Sequence, residues 1–292
     1  MQRLRCTPTA PGSNQVVNAS CEALHPGPEQ DNAVPPVIVL LHGQPDISVS
    51  FWPLRAALHA RLGHSVQVIV PDRPGYGANL RASTDFAGNA EWLEGILRRT
   101  GAGPVVIVGH SWAGGVGILT ASRSRTPIAG LVALASIGPD CLLPIDPWLA
   151  RPIIGEVLSF ASLRIGRPIL LHGPLGILRQ HLSETERRYG RASAMAMLAR
   201  PVWRSFLAEQ RTLVQQLPDI NRALREVAVP ALVLHGSADA LIPAVTPVAL
   251  AQLLPNARRI ELAGAGHDLH LRRTAEIAEH IAAFVRPLLG PI

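Results

Sequence analysis

From residue 36 onward, short apolar runs rich in β-branched residues recur, each closing in a turn and most leading into a helix-length segment. Val37–Leu41 leads into His-Gly-Gln-Pro, Val66–Val70 into Pro-Asp-Arg-Pro-Gly-Tyr-Gly, and Pro104–Val108 into Gly-His-Ser-Trp. Leu131–Ile137, Ala231–His235 and Arg259–Leu262 continue the series. Helices are expected over about Phe51–Leu62, over about Ala87–Arg99, up to about Ser124, and after the fifth and sixth strands. A strand that reads as continuously apolar is buried on both faces, so the pattern calls for a parallel sheet with helices on either side. The expected fold class is α/β, a mostly parallel, doubly wound sheet. Such sheets bind ligands beyond the carboxyl ends of their strands. The polar residues just after each strand are therefore the candidates for chemistry.

The rhythm breaks between Pro139 and about Glu226, where helices are expected over Glu184–Leu198 and Val202–Leu217 but no strand is. An insertion of that kind reads as a helical cap over the site. The expected organisation is a loose N-terminal arm over 1–35, with one strand around Gln15–Ala19, then a core of 36–138 and 228–292 interrupted by a cap over 139–227.

Composition narrows the function classes. With 48% hydrophobic and 16% charged residues in 292, the chain can bury a sizeable core. Its net charge of +6 comes wholly from arginine, since no lysine occurs, and arginine scarcely deprotonates. The arginines are dispersed in pairs such as Arg98-Arg99, Arg187-Arg188, Arg258-Arg259 and Arg272-Arg273, with no zinc-finger spacing or RNA-binding aromatic signature, so no nucleic-acid partner is expected. Cys6, Cys21 and Cys141 are too few and odd in number for a disulfide framework, although Cys6 and Cys21 could pair in an exported protein. No apolar segment follows Arg3 and Arg5, so a secretory leader is not expected. The longest apolar stretch, Pro152–Leu171, is cut by Glu156, Arg164, Arg167 and Pro168, so no membrane span is expected either. These observations lead to the expectation of a soluble, cytoplasmic protein.

Gly109-His110-Ser111-Trp112-Ala113-Gly114-Gly115 follows a buried strand and opens a helix. A serine on such a turn is presented at the positive end of the helix, and the N–H of Trp112 can face a developing oxyanion. The last position of the G-x-S-x-G pattern is Ala113, a one-methyl departure expected to displace the turn slightly without abolishing it. The competing role for Ser111 is that of a helix cap. Gly264-Ala265-Gly266-His267-Asp268-Leu269-His270 follows the last strand and offers His267 as the base, its flanking glycines allowing the ring to turn into the site. His270 is the nearest rival and could instead pack against the cap. Asp239, four residues beyond the fifth strand, is the expected acid, its competing role an Asx-turn; Asp140 is the alternative acid. After the first strand, Gly43 permits a sharp turn and the Gln44 N–H is the second expected oxyanion donor, while His42 is expected to support the loop. Asp72 and Arg73 are expected to tie loops together. Trp112, Trp148 and Trp203 are candidate substrate contacts, although aromatics at helical spacing more often belong to a core.

Taken together, HGQP, PDRPGYG, GHSWAGG, HGSAD and GAGHD, each after a strand and in this order, resemble the α/β-hydrolase superfamily over about Pro36–Val285. The resemblance implies Ser111 as nucleophile, His267 as base, Asp239 as acid, the Gln44 and Trp112 N–H groups as oxyanion hole, and no cofactor. Family members usually begin with a clear strand hairpin, which is faint before Pro36. The expected activity is hydrolysis of carboxylic esters of apolar small molecules. The same fold supports C–C bond, amide or aminopeptidase hydrolysis and haloperoxidase chemistry, and a non-hydrolytic binding protein is the alternative of another class.

Overall fold

Two units share the chain, Met1–Ala33 and Val34–Ile292. The computed structural model describes residues 3–6, 21–24, 34–101, 103–166, 184, 187–189, 191–192, 195 and 202–290. In the first unit, strand β1 (Arg3–Cys6) pairs antiparallel with β2 (Cys21–Leu24), and the register sets Cys6 across from Cys21. The strand expected around Gln15–Ala19 lies outside the described residues, as does most of the helix expected over Glu184–Leu198.

The second unit is built on six strands: β3 (Val37–Leu41), β4 (Gln67–Ile69), β5 (Val105–His110), β6 (Ile128–Leu134), β7 (Ala231–Gly236) and β8 (Ala257–Leu262). They form one sheet in the order β4-β3-β5-β6-β7-β8, every neighbouring pair parallel. Strand alternation splits the apolar residues into two cores. Val37, Val39, Val105, Ile107, Leu131, Ala133 and Val233 face one side, with Leu93 of α2 (Phe86–Thr100), Val116 of α3 (Trp112–Arg123) and Ile220 of a long later helix. Ile38, Leu40, Val106, Val108, Val132, Leu134 and Leu232 face the other, with Leu54 and Leu58 of α1 (Trp52–Leu62) and Ile277 and Ile281 near the C-terminus. The sheet is thus covered on both faces, as its continuously apolar strands required.

Local chemistry sets the helix ends. The Asp85 carboxylate accepts the Gly88 N–H at 2.8 Å to cap α2, and Gly101 ends it in the left-handed region at φ 58°. Strand β6 ends three residues sooner than the apolar run suggests, because Ala135 turns out of the sheet at φ 42° and Ile137 donates its N–H to the Ser111 carbonyl at 3.2 Å.

Between β6 and β7 lie α4 (Asp146–Leu149), α5 (Ile154–Phe160), a π-helical turn over Ala161–Gly166, and α6 (Val202–Ala223). Helix α7 (Val245–Leu253) joins β7 to β8, and α8 (Leu269–Arg272) and α9 (Thr274–Val285) follow β8. No helix of the described residues is long and apolar enough to cross a membrane.

Candidate active site

Strand β5 runs directly into Ser111, which adopts φ 54° and ψ −124°, a conformation a non-glycine residue holds only under constraint. The constraint comes from both flanks. The Ser111 N–H donates to the Leu134 carbonyl at 3.0 Å, and the Ser111 carbonyl accepts from Gly114 N at 2.9 Å and Ile137 N at 3.2 Å. A Cβ on Gly109 would fall 2.5 Å from the Ala113 carbonyl oxygen, so only glycine permits this crossing of strand and helix. Ala113 itself is fully buried and the turn is intact around it. A Cβ on Gly43 would meet Ser111 Cβ at 2.9 Å, which brings the turn after β3 against the serine.

On the other side, His267 Nδ1 and Asp239 Oδ2 are 2.9 Å apart, joining the loops after the neighbouring strands β8 and β7. Asp239 Oδ1 accepts the N–H groups of Leu241 at 2.8 Å and Ile242 at 3.0 Å. One Asp239 oxygen thus holds an Asx-type turn while the other meets the His267 imidazole. Burial works to raise its carboxyl pKa, but the hydrogen bonds from His267, Ile242 and Leu241 outweigh it and hold the carboxyl below its usual value. Asp140 is exposed, on a left-handed turn at φ 57°.

His110, overlooked as a functional candidate, stands between these two parts. Its Nε2 lies 3.1 Å from the His267 carbonyl oxygen, so Nε2 donates and supports the loop that carries the base candidate. Its ring centroid is 4.8 Å from that of His267 and 4.6 Å from that of His270. Burial, followed by the neighbouring His267, pushes the His110 pKa down to about 4. His270 stacks on Phe51 at 4.2 Å, just before α1, which fixes its packing partner as core. Among the described residues no hydrogen bond links the Ser111 hydroxyl to the His267 ring. Such bonds often form or tighten only once substrate binds.

The turns after β3 and β4 are joined by a network in the interior. Arg73 and Glu209 are both fully buried and form an ion pair, with a second contact from Arg73 Nη2 to Glu209 Oε2 at 3.2 Å. Arg73 also donates to the carbonyls of His42, through Nε at 2.8 Å, and Gly43, through Nη2 at 2.8 Å. The Tyr76 hydroxyl donates to Glu209 Oε2 at 2.6 Å; burial raises that phenol pKa well above its usual value and keeps it a donor. His42 Nε2 accepts the Arg73 N–H at 3.0 Å, so the hydrogen sits on Nδ1, which donates to the Gly43 carbonyl at 2.9 Å. Burial and the adjacent Arg73 charge hold His42 far below its usual pKa, in keeping with a neutral ring that supports the loop. The Gln44 side chain donates to Gln210 Oε1 at 2.9 Å, and Gln210 donates to Asp146 Oδ1 at 2.7 Å.

The tryptophans fall in three different places. Trp112 is fully buried, stacked on Phe86 at 4.1 Å under the Arg73 guanidinium, with its indole N–H donated to the Glu209 carbonyl at 3.2 Å. That leaves its indole as core and only its backbone N–H, the first of α3, for the site. Trp148 is half exposed beneath Arg151, and Trp203 packs edge-on against Phe160 at 5.7 Å. Glu209 escaped notice in the sequence, although its place on the apolar stripe of α6 with Leu213, Leu217 and Ile220 was a signal. Among the described residues no group of three or more His, Cys, Asp or Glu is placed to hold a metal ion.

A model of the alpha/beta hydrolase family matches residues 38–280. A 2-hydroxymuconate semialdehyde hydrolase from Pseudomonas putida is 28% identical over 229 residues, 76% of this chain and 79% of the relative. A pimeloyl-[acyl-carrier protein] methyl ester esterase from Xanthomonas oryzae pv. oryzae is 26% identical over 268 residues, 86% of this chain and 95% of the relative. Among solved structures, MenH from S. aureus superposes with a TM-score of 0.68 at 21% identity, covering 90% of this chain and 98% of its own, a likeness of fold.

Proposed function

Because the chain belongs to the alpha/beta hydrolase family, we propose that it hydrolyses carboxylic esters of apolar small molecules through an acyl-enzyme on Ser111. The observation that carries this is the 2.9 Å contact between His267 and Asp239, on loops beside a serine held at φ 54°. An imidazole whose Nδ1 hydrogen is committed to Asp239 presents the Nε2 lone pair as a base. In the proposed reaction His267 takes the Ser111 proton as the serine oxygen attacks the ester carbonyl. The N–H groups of Gln44 and Trp112 receive the oxyanion. His267 then returns the proton to the leaving alcohol, and water enters by the same route to release the acid. Residues 139–227 act as the cap in this reading. The half-exposed Ile154, Leu158 and Phe160 support an apolar substrate.

The methyl ester esterase among the relatives supports ester cleavage. The 2-hydroxymuconate semialdehyde hydrolase favours C–C bond hydrolysis at the same serine as a second reading. The test is turnover of p-nitrophenyl esters and of a diketone panel by wild type and Ser111→Ala. The variant is expected to lose about 10⁴-fold or more in kcat on the preferred substrate, and a fluorophosphonate is expected to label wild type alone. Unchanged turnover in Ser111→Ala removes the serine mechanism. Folded wild type that neither labels nor turns over any substrate is a binding protein instead.

A further inference from the structure

The Gly43 carbonyl and the Gln44 N–H are two ends of one planar peptide group, and this peptide is trans; the cis bond in the turn is the next one, Gln44–Pro45. In a trans peptide the carbonyl and the N–H point in opposite directions. Whatever holds the Gly43 carbonyl therefore aims the Gln44 N–H. Two donors hold it, Arg73 Nη2 at 2.8 Å and His42 Nδ1 at 2.9 Å, and Arg73 Nε takes the preceding carbonyl as well. A guanidinium bonded to a peptide oxygen also polarises that peptide and strengthens its N–H as a donor.

The guanidinium is placed in turn by Glu209 of α6, and neither residue touches water. The backbone carbonyl of Glu209 accepts the Trp112 indole N–H, and the following residue, Gln210, accepts from the Gln44 side chain. One turn of α6 thus contacts both residues whose N–H groups the acyl-transfer scheme needs. A tie that served only to join α6 to the sheet would require the two charges to meet. It would not require the remaining guanidinium N–H groups to end on consecutive carbonyls of the turn after β3.

Building on the serine-hydrolase reading above, we propose that Arg73 and Glu209 are positioning residues for the oxyanion hole. The buried pair aims the Gln44 N–H and makes the hole depend on how α6 is seated. Neither side chain touches the reacting atoms; they act through the Gly43–Gln44 peptide.

Glu209→Gln tests this with two readouts, one of which needs no turnover. The first is the split between kcat and KM, with active sites counted by fluorophosphonate. A misaimed donor weakens transition-state binding, so kcat is expected to fall by about 10- to 100-fold with KM changed by less than about threefold. The second is the Gln44 backbone amide resonance in ¹⁵N–¹H spectra, expected to move in Glu209→Gln and in Arg73→Lys, which keeps the charge but loses the planar fork. Tyr76→Phe removes a single hydrogen bond to Glu209 and is expected to produce the same pattern at smaller size.

A folded Glu209→Gln protein with wild-type kcat per active site and an unmoved Gln44 amide overturns the proposal. Should that variant fail to fold, a folded Arg73→Lys with both readouts unchanged overturns it equally. If wild type shows no turnover dependent on Ser111, the hydrolase reading fails instead, and the Gln44 amide alone then decides whether the pair aims this peptide.

Discussion

Asp239 is anchored by N–H groups two and three residues further along the chain, whereas Arg73 is anchored by a carboxylate 136 residues away. The two sides of the candidate site are thus held by different means. The Asp239–His267 side is supported mainly within its own loops, with one bond from His110 to the His267 carbonyl, and Asp239 keeps two hydrogen bonds whatever the imidazole does. The Gln44 side depends on a fully buried ion pair that forms only when α6 lies against the turns after β3 and β4. Removing one member of such a pair leaves a charge without solvent or partner, and that costs more than the intact pair contributes. Damage on the first side should therefore fall on chemistry, and damage on the second on chemistry and stability together.

The largest expected effect probes the first side. Asp239→Asn retains an oxygen for the Leu241 and Ile242 N–H groups but turns an amide N–H toward His267, which favours the wrong tautomer. Ester turnover is expected to drop by about 10⁴-fold, while the urea midpoint stays near that of wild type. A large loss of stability in this variant would break the contrast. Glu209→Ala probes the second side. It strands the Arg73 guanidinium and the Tyr76 hydroxyl and is expected to destabilise the fold by about 3–5 kcal/mol. A loss under about 1 kcal/mol in urea unfolding would mean that the network relaxes, and that the second side is as self-contained as the first.

The smallest effect comes from acidification and sharpens the same contrast. His110 has its pKa lowered from 6.5 to about 4, chiefly by burial. Between those values the unfolded chain takes up a proton that the native state does not, so stability should fall as pH drops through that window. The loss from this ring is on the order of 3 kcal/mol once pH is below about 4. His42 and His270 are also lowered by burial and act in the same direction. Asp239, held below its usual 3.8, contributes stability that is present above that value and lost only as pH falls further through its native pKa. The buried histidines, which lie on both sides of the site, should therefore cost stability at a higher pH than Asp239 does. Unfolding free energies at pH 7 and pH 5, in wild type and His110→Asn, check this, and an identical pH slope in the variant would clear His110 of the effect.

Legibility followed the range over which each feature is determined. The strands could be read because a run such as Val37–Leu41 has no polar face to offer water, and the elbow because Gly109, Ser111 and Gly114 are close neighbours in sequence. Boundaries slipped where a long-range bond intervened, as at Ala135, where β6 is bent off to meet the Ser111 carbonyl. From the sequence Trp112 is a candidate substrate contact, with a place in the core as the competing reading. In the folded chain Phe86, Arg73 and the Glu209 carbonyl enclose it.

Hydrophobic periodicity and turn chemistry act over a few residues, and so the chain alone dictated a parallel sheet, its crossing helices, and the loops that carry Ser111, Asp239 and His267. Which acidic side chain meets which cation is decided otherwise. A buried charge must find a partner anywhere in space, and sequence distance has no bearing on the electrostatic cost of leaving it alone. The pairing of Arg73 with Glu209, and the aim it gives the Gln44 peptide, was fixed only when α6 closed over the turns.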